Sequence, residues 1–375
     1  MSQVMHVWMD QVSLAEGLKL VSGVIESSQV MKILSFVHIH VEKKHAILTT
    51  SNAEVQIQTE VKLSKPADQP FQIVAPCRKL MDILRFANKE TPVLFQISGM
   101  QLEIEIGSSH YTVNLLAADQ FPFFNEVKDV SPALEMSQSE LSTLLRRSSF
   151  AMAFQDVRYF LNGMLFEYNG AEFKAIATDG HRLAVNAVDL PNPGIEPYRV
   201  IVPRKTILEM IRLIAANDSI LSIKVSRDYI EVLTELFVLR SNLIDAQYPD
   251  YQKLIPRNSQ QMAVLNTGAL KSALSRVNIL ANEKFRGVRL SFLENNKLTL
   301  EANNLDKEMA IECIDVIESP GACSIAFNIN YLTDVISVMD AEKVCLQMSG
   351  TDSGTLLKEE DALFNSLFVV MPLTI

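Results

Sequence analysis

The chain has 375 residues, more than one hydrophobic core of ordinary size can hold, so two or three domains are expected. Its 48% hydrophobic and 21% charged residues with a net charge of -10 describe a globular protein and exclude a wholly basic nucleic-acid binder. No run approaches the roughly eighteen apolar residues of a membrane span, and the start, MSQVMHVWMDQ, lacks a basic stretch followed by an apolar core, which predicts a cytoplasmic protein. Cys77, Cys313, Cys323 and Cys345 form no CxxC pair and no Cys/His cluster, so reduced thiols are expected, with no metal and no cofactor.

In chain order, apolar spacing at i, i+3, i+4 and i+7 predicts a helix over 14–25 within SLAEGLKLVSGVI and another over 76–89 from APCRKLMDILRFA. Between them HAILTTSNAEVQIQTEVKL alternates as strands do, and AADQFPFF closes the segment at 117–124. The central part repeats the series: SELSTLLRRSSFAMA predicts a helix over 139–150, VPRKTILEMIRLIAA one over 203–214, YIEVLTELFVLRSNLI strands, and IDAQYPDY a closing turn at 244–251. The last part repeats it again, with helices over 268–286 and 328–340, the strand-like KLTLEANNLDKEMAIECIDVI, and FVVMPL near the end. In this register Gln120, Phe121 and Pro122 correspond to Gln247, Tyr248 and Pro249, with Pro372 a third echo. A period of about 127 residues is too long for a solenoid and fits duplicated domains. The expected architecture is α+β, three copies of a unit of two helices plus sheet, spanning 1–127, 128–255 and 256–375.

Charge is divided unevenly over these elements. The six predicted helices hold about fourteen Lys and Arg against about seven Asp and Glu, so the remainder is strongly acidic. Lys19, Arg78, Lys79, Arg85, Arg146, Arg147, Arg204, Lys205, Arg212, Lys271 and Arg276 would give one face suited to a polyanion, held through phosphates without reading bases.

The stretch ATDGHRLAV, residues 177–185, crowds Asp179, His181 and Arg182 onto one turn. One reading is a hydrolase with Asp179 and His181 as orienter and base. The chain offers it little, having no HExxH, no G-x-S-x-G and no G-x-x-x-x-G-K-[ST], and His38, His40 and His45 fall in a strand-like segment.

FQDVRYFLNGMLFEYNG, AIATDGHRLAV, VIVPRK, AQYPDY, NEKFRGVRL, FNINYL and the terminal FVVMPL together resemble the bacterial DNA polymerase III β subunit, the β sliding clamp family, in order along the whole chain. The resemblance implies a non-catalytic processivity factor. Its fold would be the DNA clamp: three pseudo-repeated domains per chain, two chains head to tail, and six domains closing a ring around duplex DNA. It implies that ATDGHRLAV docks a partner peptide rather than performing chemistry, through Leu161, Thr178, Gly180, His181, Arg182, Leu183, Pro249, Leu254, Asn328, Tyr331, Val370, Met371, Pro372 and Leu373. For DNA it points to Arg78, Gln155, Tyr159 and Phe160, to which charge adds Arg158, Arg204 and Lys205. At the subunit seam, Ile279 and Leu280 are expected to pack on Tyr111 and Val113 of a second chain. The implied partners are double-stranded DNA, a clamp loader, the replicative polymerase and other proteins bearing clamp-binding peptides. Departures from the family pattern are Ser28, Phe154, Lys253 and the Leu-Thr-Ile tail.

Overall fold

A computed structural model describes residues 4–25, 31–124, 131–256, 261–350, 353–360 and 364–373. Ser28, the expected boundary near 127 and the final Thr374 and Ile375 lie outside the described residues. The described residues form six α-helices: α1 (Gln11–Val21), α2 (Cys77–Arg85), α3 (Gln138–Ser149), α4 (Arg204–Leu213), α5 (Thr267–Val277) and α6 (Ile329–Ser337). Eight described strands fall in each third of the chain along with two helices, which is the repeat that the sequence announces.

Local chemistry explains where the helices begin and end. α1 starts three residues earlier than the apolar pattern predicts because Asp10 caps it, its carboxylate accepting the Ser13 N–H at 2.9 Å. Asn266 and Asn328 cap α5 and α6 in the same way. The helix expected over 268–286 stops at Val277, passes through a 3-10 turn at Asn278–Leu280 and ends there. Asn282 then takes the Lys284 and Phe285 N–H groups on its side-chain oxygen, at 2.9 and 3.0 Å, which competes with helix continuation.

The chain divides into two compact units. The first comprises residues up to 138 together with Asp218–Leu243. It holds a four-stranded antiparallel sheet in the order Met5–Met9, Val93–Ser98, Gln101–Ile106, Ser109–Asn114. Its eight-stranded sheet runs Phe71–Pro76, Phe36–Val41, His45–Ser51, Val55–Lys62, Val238–Asn242, Tyr229–Leu233, Ile220–Val225, Leu134–Ser137. Four of these strands come from the first third and four from the central third, joined where Val238 pairs with Gln58 and Ser241 with Val55.

The second unit comprises Ser139–Asn217 and residues from Ile244 onward, and repeats this plan. Tyr198–Pro203, Gly163–Tyr168, Glu172–Thr178 and Arg182–Asp189 continue into Asn365–Val370, Thr355–Glu359, Lys343–Met348 and Gln261–Asn266. Its four-stranded sheet runs Met309–Asp315, Lys297–Asn303, Gly287–Leu293, Cys323–Asn328. Where the two halves of the larger sheet meet, Arg182 pairs with Val370 and Leu183 with Val369. That junction brings the end of the chain beside the ATDGHR turn.

Candidate peptide cleft and nucleic-acid interface

Asp179, Gly180 and His181 connect the antiparallel strands Glu172–Thr178 and Arg182–Asp189. Gly180 has φ 90°, a left-handed conformation that glycine adopts without strain. The Asp179 carboxylate folds the turn over itself: Oδ1 accepts the N–H groups of His181 and Arg182 at 2.9 and 3.0 Å, and Oδ2 accepts Arg182 Nε at 3.1 Å. Thr178 Oγ1 donates to the Arg182 carbonyl at 2.6 Å and accepts the Gly180 N–H at 3.1 Å. Beneath the turn, the Thr178 N–H donates to the hydroxyl of buried Tyr248 at 3.1 Å. Burial pushes that phenol up and keeps it neutral.

Arg182 holds this turn to α6. Its guanidinium also pairs with Asp334, donates to the Phe150 carbonyl at 2.6 Å, and lies over the rings of Tyr331 and Phe150 at 4.7 and 5.1 Å. The His181 ring stacks on Tyr331, centroids 5.8 Å apart and planes 19° apart. Asn328 sets Tyr331 by capping α6, accepting its N–H at 3.4 Å.

The tail completes the wall. Met371 N–H donates to the His181 carbonyl at 2.9 Å, Pro372 bridges to Phe327, and Leu373 N–H donates to the Ala326 carbonyl at 2.7 Å. Met371 is 36% exposed and Leu254 42% exposed. A Cβ built on Gly354 would sit 3.3 Å from Met371 Sδ and 3.8 Å from the Leu254 carbonyl, so both border one spot. Leu161 and Leu183 belong to a buried cluster with Tyr248, Tyr251, Leu356 and Val369, and Val370 is fully buried. With Thr178, 3% exposed, four of the expected wall residues are therefore core rather than surface. Of the other residues expected there, His181, Leu254 and Met371 are exposed and Tyr331, Pro249, Pro372 and Leu373 half-buried. Sequence reasoning missed Tyr248, Asp334 and Phe150, although Asp334 follows Tyr331 by one helical turn and could have been read from that spacing.

The hydrolase alternative fails on this geometry. Asp179 accepts backbone N–H groups instead of orienting an imidazole, and the His181 ring stacks on the aromatic ring of Tyr331. Among the described residues no three His, Cys, Asp or Glu side chains converge as metal ligands.

The residues named for DNA divide by environment. Arg78 is exposed on the first turn of α2. Gln155, with φ 54°, sits in the exposed segment that includes Phe154 and Tyr159, while Phe160 is half-buried against the cluster around Leu161. Arg158 is bound to its own loop, with Nε and Nη2 on Asp156 at 3.0 and 2.8 Å, and to the ATDGHR turn, with Nη2 on the Asp179 carbonyl at 3.0 Å. Its hydrogen bonds hold the Asp156 carboxyl down at about 2. Arg204 and Lys205 open α4, half-buried; Arg204 donates to the Met152 carbonyl at 3.0 Å and lies 5.7 Å from the Phe154 ring. Arg147 departs from the expected basic face. Its side chain is 6% exposed and paired with Glu359, itself 1% exposed, and with Asp340.

Of the seam residues, Ile279 is 78% exposed and Leu280 half-buried on the 3-10 turn after α5. Tyr111 is 38% exposed and Val113 is 7% exposed on the strand Ser109–Asn114, which ends its sheet. Val113 thus points into its own core, and what that strand leaves open is its edge and the Tyr111 ring.

Models of the three domains of the DNA polymerase III β subunit match this chain in order: the N-terminal domain over residues 5–125, the central domain over 135–250 and the C-terminal domain over 252–374. The chain is 39% identical over 369 residues to a β sliding clamp of Pseudomonas aeruginosa, covering 98% of this chain and 100% of that one. To the β sliding clamp of Escherichia coli K12 it is 33% identical over 370 residues, with the same coverage. Among solved structures, the P. aeruginosa clamp bound to griselimycin matches with a TM-score of 0.94 at 38% identity over 100% of both chains. The C. crescentus clamp matches with a TM-score of 0.94 at 28% identity, again over 100% of both. With three domain models in register and relatives matched over their full length, the chain belongs to the DNA polymerase III β-subunit family, the β sliding clamps.

Proposed function

We propose that this chain is the processivity factor of a bacterial replicative DNA polymerase, a homodimeric ring that encircles duplex DNA and slides along it. The observation that carries the reading is the ordered match of all three domain models. It is not an enzyme. A closed ring raises processivity by topology, keeping the tethered polymerase at high local concentration near the primer end without a tight DNA contact. Weak, salt-sensitive phosphate contacts then permit sliding. Since the sequence carries no phosphate-binding loop, opening is the work of an ATP-dependent clamp loader. The ring acts in the cytoplasm, on DNA of any sequence.

The domains run 1–127, 128–255 and 256–375. DNA contact is assigned to Arg78, Gln155, Arg158, Tyr159, Phe160, Arg204 and Lys205; helix charge supports the three of these on helices, Arg78, Arg204 and Lys205, since α1 to α6 carry eleven Lys and Arg, Arg147 alone of them buried, against Glu16, Asp82, Glu140, Glu209 and Asp334. The groove bordered by His181, Tyr331, Leu254 and Met371 is the docking site for polymerase and repair proteins bearing clamp-binding peptides. An apolar floor with a few polar groups at its rim suits an extended segment with leucine and phenylalanine anchors. The seam uses two sheet edges, Ser109–Asn114 of one chain and Met309–Asp315 of the other, with Ile279 and Leu280 beside the latter. The test is retention: loaded protein should stay on nicked circular DNA and leave once the circle is cut to a linear form. Equal loss from both would refute the ring.

A further inference from the structure

We propose that Lys32, Arg78 and Lys79 form a notch that grips one backbone phosphate of the encircled duplex, with Lys32 an added DNA ligand. The inference rests on the clamp reading and names a contact within it.

A cavity of about 320 Å³ lies in the first unit between the 3-10 turn Lys32–Ser35, the start of α2 and Asn114 at the end of its strand. Its lining includes three cations and no carboxylate. All three cations are exposed, and none forms an ion pair with a described acidic residue. The cavity opens at the N-terminus of α2, where Pro76 provides no side-chain cap for the first-turn N–H groups. Those groups add partial positive charge at the same place. Lys32 is held there from two directions: Ser35 Oγ donates to its carbonyl at 2.7 Å, and its ammonium lies 5.9 Å from the centroid of the Phe36 ring. A concave site with a net triple charge fits a phosphodiester oxygen pair and reads no base, as a sliding protein requires.

The experiment uses the full chain and a fluorescein-labelled duplex of mixed sequence, with affinity measured over a salt series for wild type, Lys32→Ala, Lys32→Arg and Lys43→Ala. Lys43, exposed in a strand-connecting turn, controls for net charge. Losing one phosphate contact should lower the salt slope of Lys32→Ala by about one and weaken binding severalfold, with Lys32→Arg restoring both. An unchanged slope in Lys32→Ala, or an equal change in Lys43→Ala, overturns the notch. Retention of the same variants on nicked circles separates the two ideas. If wild type stays on while Lys32→Ala behaves like it in every assay, the notch falls and the clamp stands; if wild type itself is not retained, the clamp reading falls and takes the duplex ligand with it.

Discussion

Asp179 is engaged in structure, since both of its oxygens accept hydrogen bonds within the turn that it builds. Asp179→Ala should therefore act through the turn alone, removing acceptors for two backbone N–H groups and a partner for Arg182. A stability loss of about 1–2 kcal/mol is expected, with weakened peptide binding that follows the disordering of the turn. Gly180→Trp should act differently. Its φ of 90° strains any side chain, and a Cβ there would meet Arg158 Nη1 at 3.0 Å, so an indole must displace Arg158 and distort the turn that carries His181. Deleting Met371–Ile375 should remove one wall. Fluorescence anisotropy with a leucine- and phenylalanine-containing peptide gives the ranking: binding lost in Gly180→Trp and in the deletion, reduced in Asp179→Ala. Full-strength binding by the deletion would refute the cleft. The turn was legible in ATDGHR because Asp, Gly and a following Arg are local chemistry. Tyr248 and Phe150 were not, because nothing in the spacing of a sequence says which distant hydroxyl or carbonyl folds beneath a turn.

At the scale of elements, apolar periodicity located the six described helices but ran past the ends of α1, α2, α5 and α6; side chains of Asp and Asn set the boundary at Asp10 and turn the chain at Asn282. Counting charge along helices failed at Arg147. α3 buries Leu141, Leu144, Leu145 and Ser148, and Arg147 lies at the flank of that stripe, where the helix alone leaves burial undecided. The deciding partner is Glu359 on the strand Thr355–Glu359, which also accepts the Asp340 and Ala341 N–H groups through Oε1 at 2.6 and 3.0 Å. Burial pushes the Arg147 guanidinium down, opposed only in part by Asp340. Arg147→Ala leaves the Glu359 charge buried without its cation and should cost about 3–5 kcal/mol. Arg147→Met combined with Glu359→Gln removes both charges while keeping an oxygen for the Asp340 and Ala341 N–H groups, and should recover most of that. Urea midpoints decide it: a loss under about 1 kcal/mol in the single variant would mean that water compensates Glu359 and the pair is a surface one.

Across the whole molecule, a chain with net charge -10 concentrates cations on its helices, and each large sheet draws half its strands from one third of the sequence and half from the next. The repeat was readable as a period; the sharing of sheets was not, because an exposed edge and a joined edge carry the same alternation. The two four-stranded sheets remain unjoined at Ser109–Asn114 and Met309–Asp315, and a long free edge beside exposed apolar side chains is a surface that natural proteins cover. Ile279, 78% exposed after α5, and Ile311, 54% exposed on the second edge, fit that description. The protein should accordingly scatter light as a dimer of about twice 42.0 kDa at micromolar concentration. Ile279→Asp with Leu280→Asp should give monomers, because a carboxylate in a seam without a partner is costly. Since Ile279 is exposed and Leu280 half-buried in the single chain, the helical circular dichroism should stay at the wild-type level, which separates a broken seam from a broken fold. A double variant that remains dimeric would move the seam away from α5, and a wild type that is monomeric would remove the ring itself.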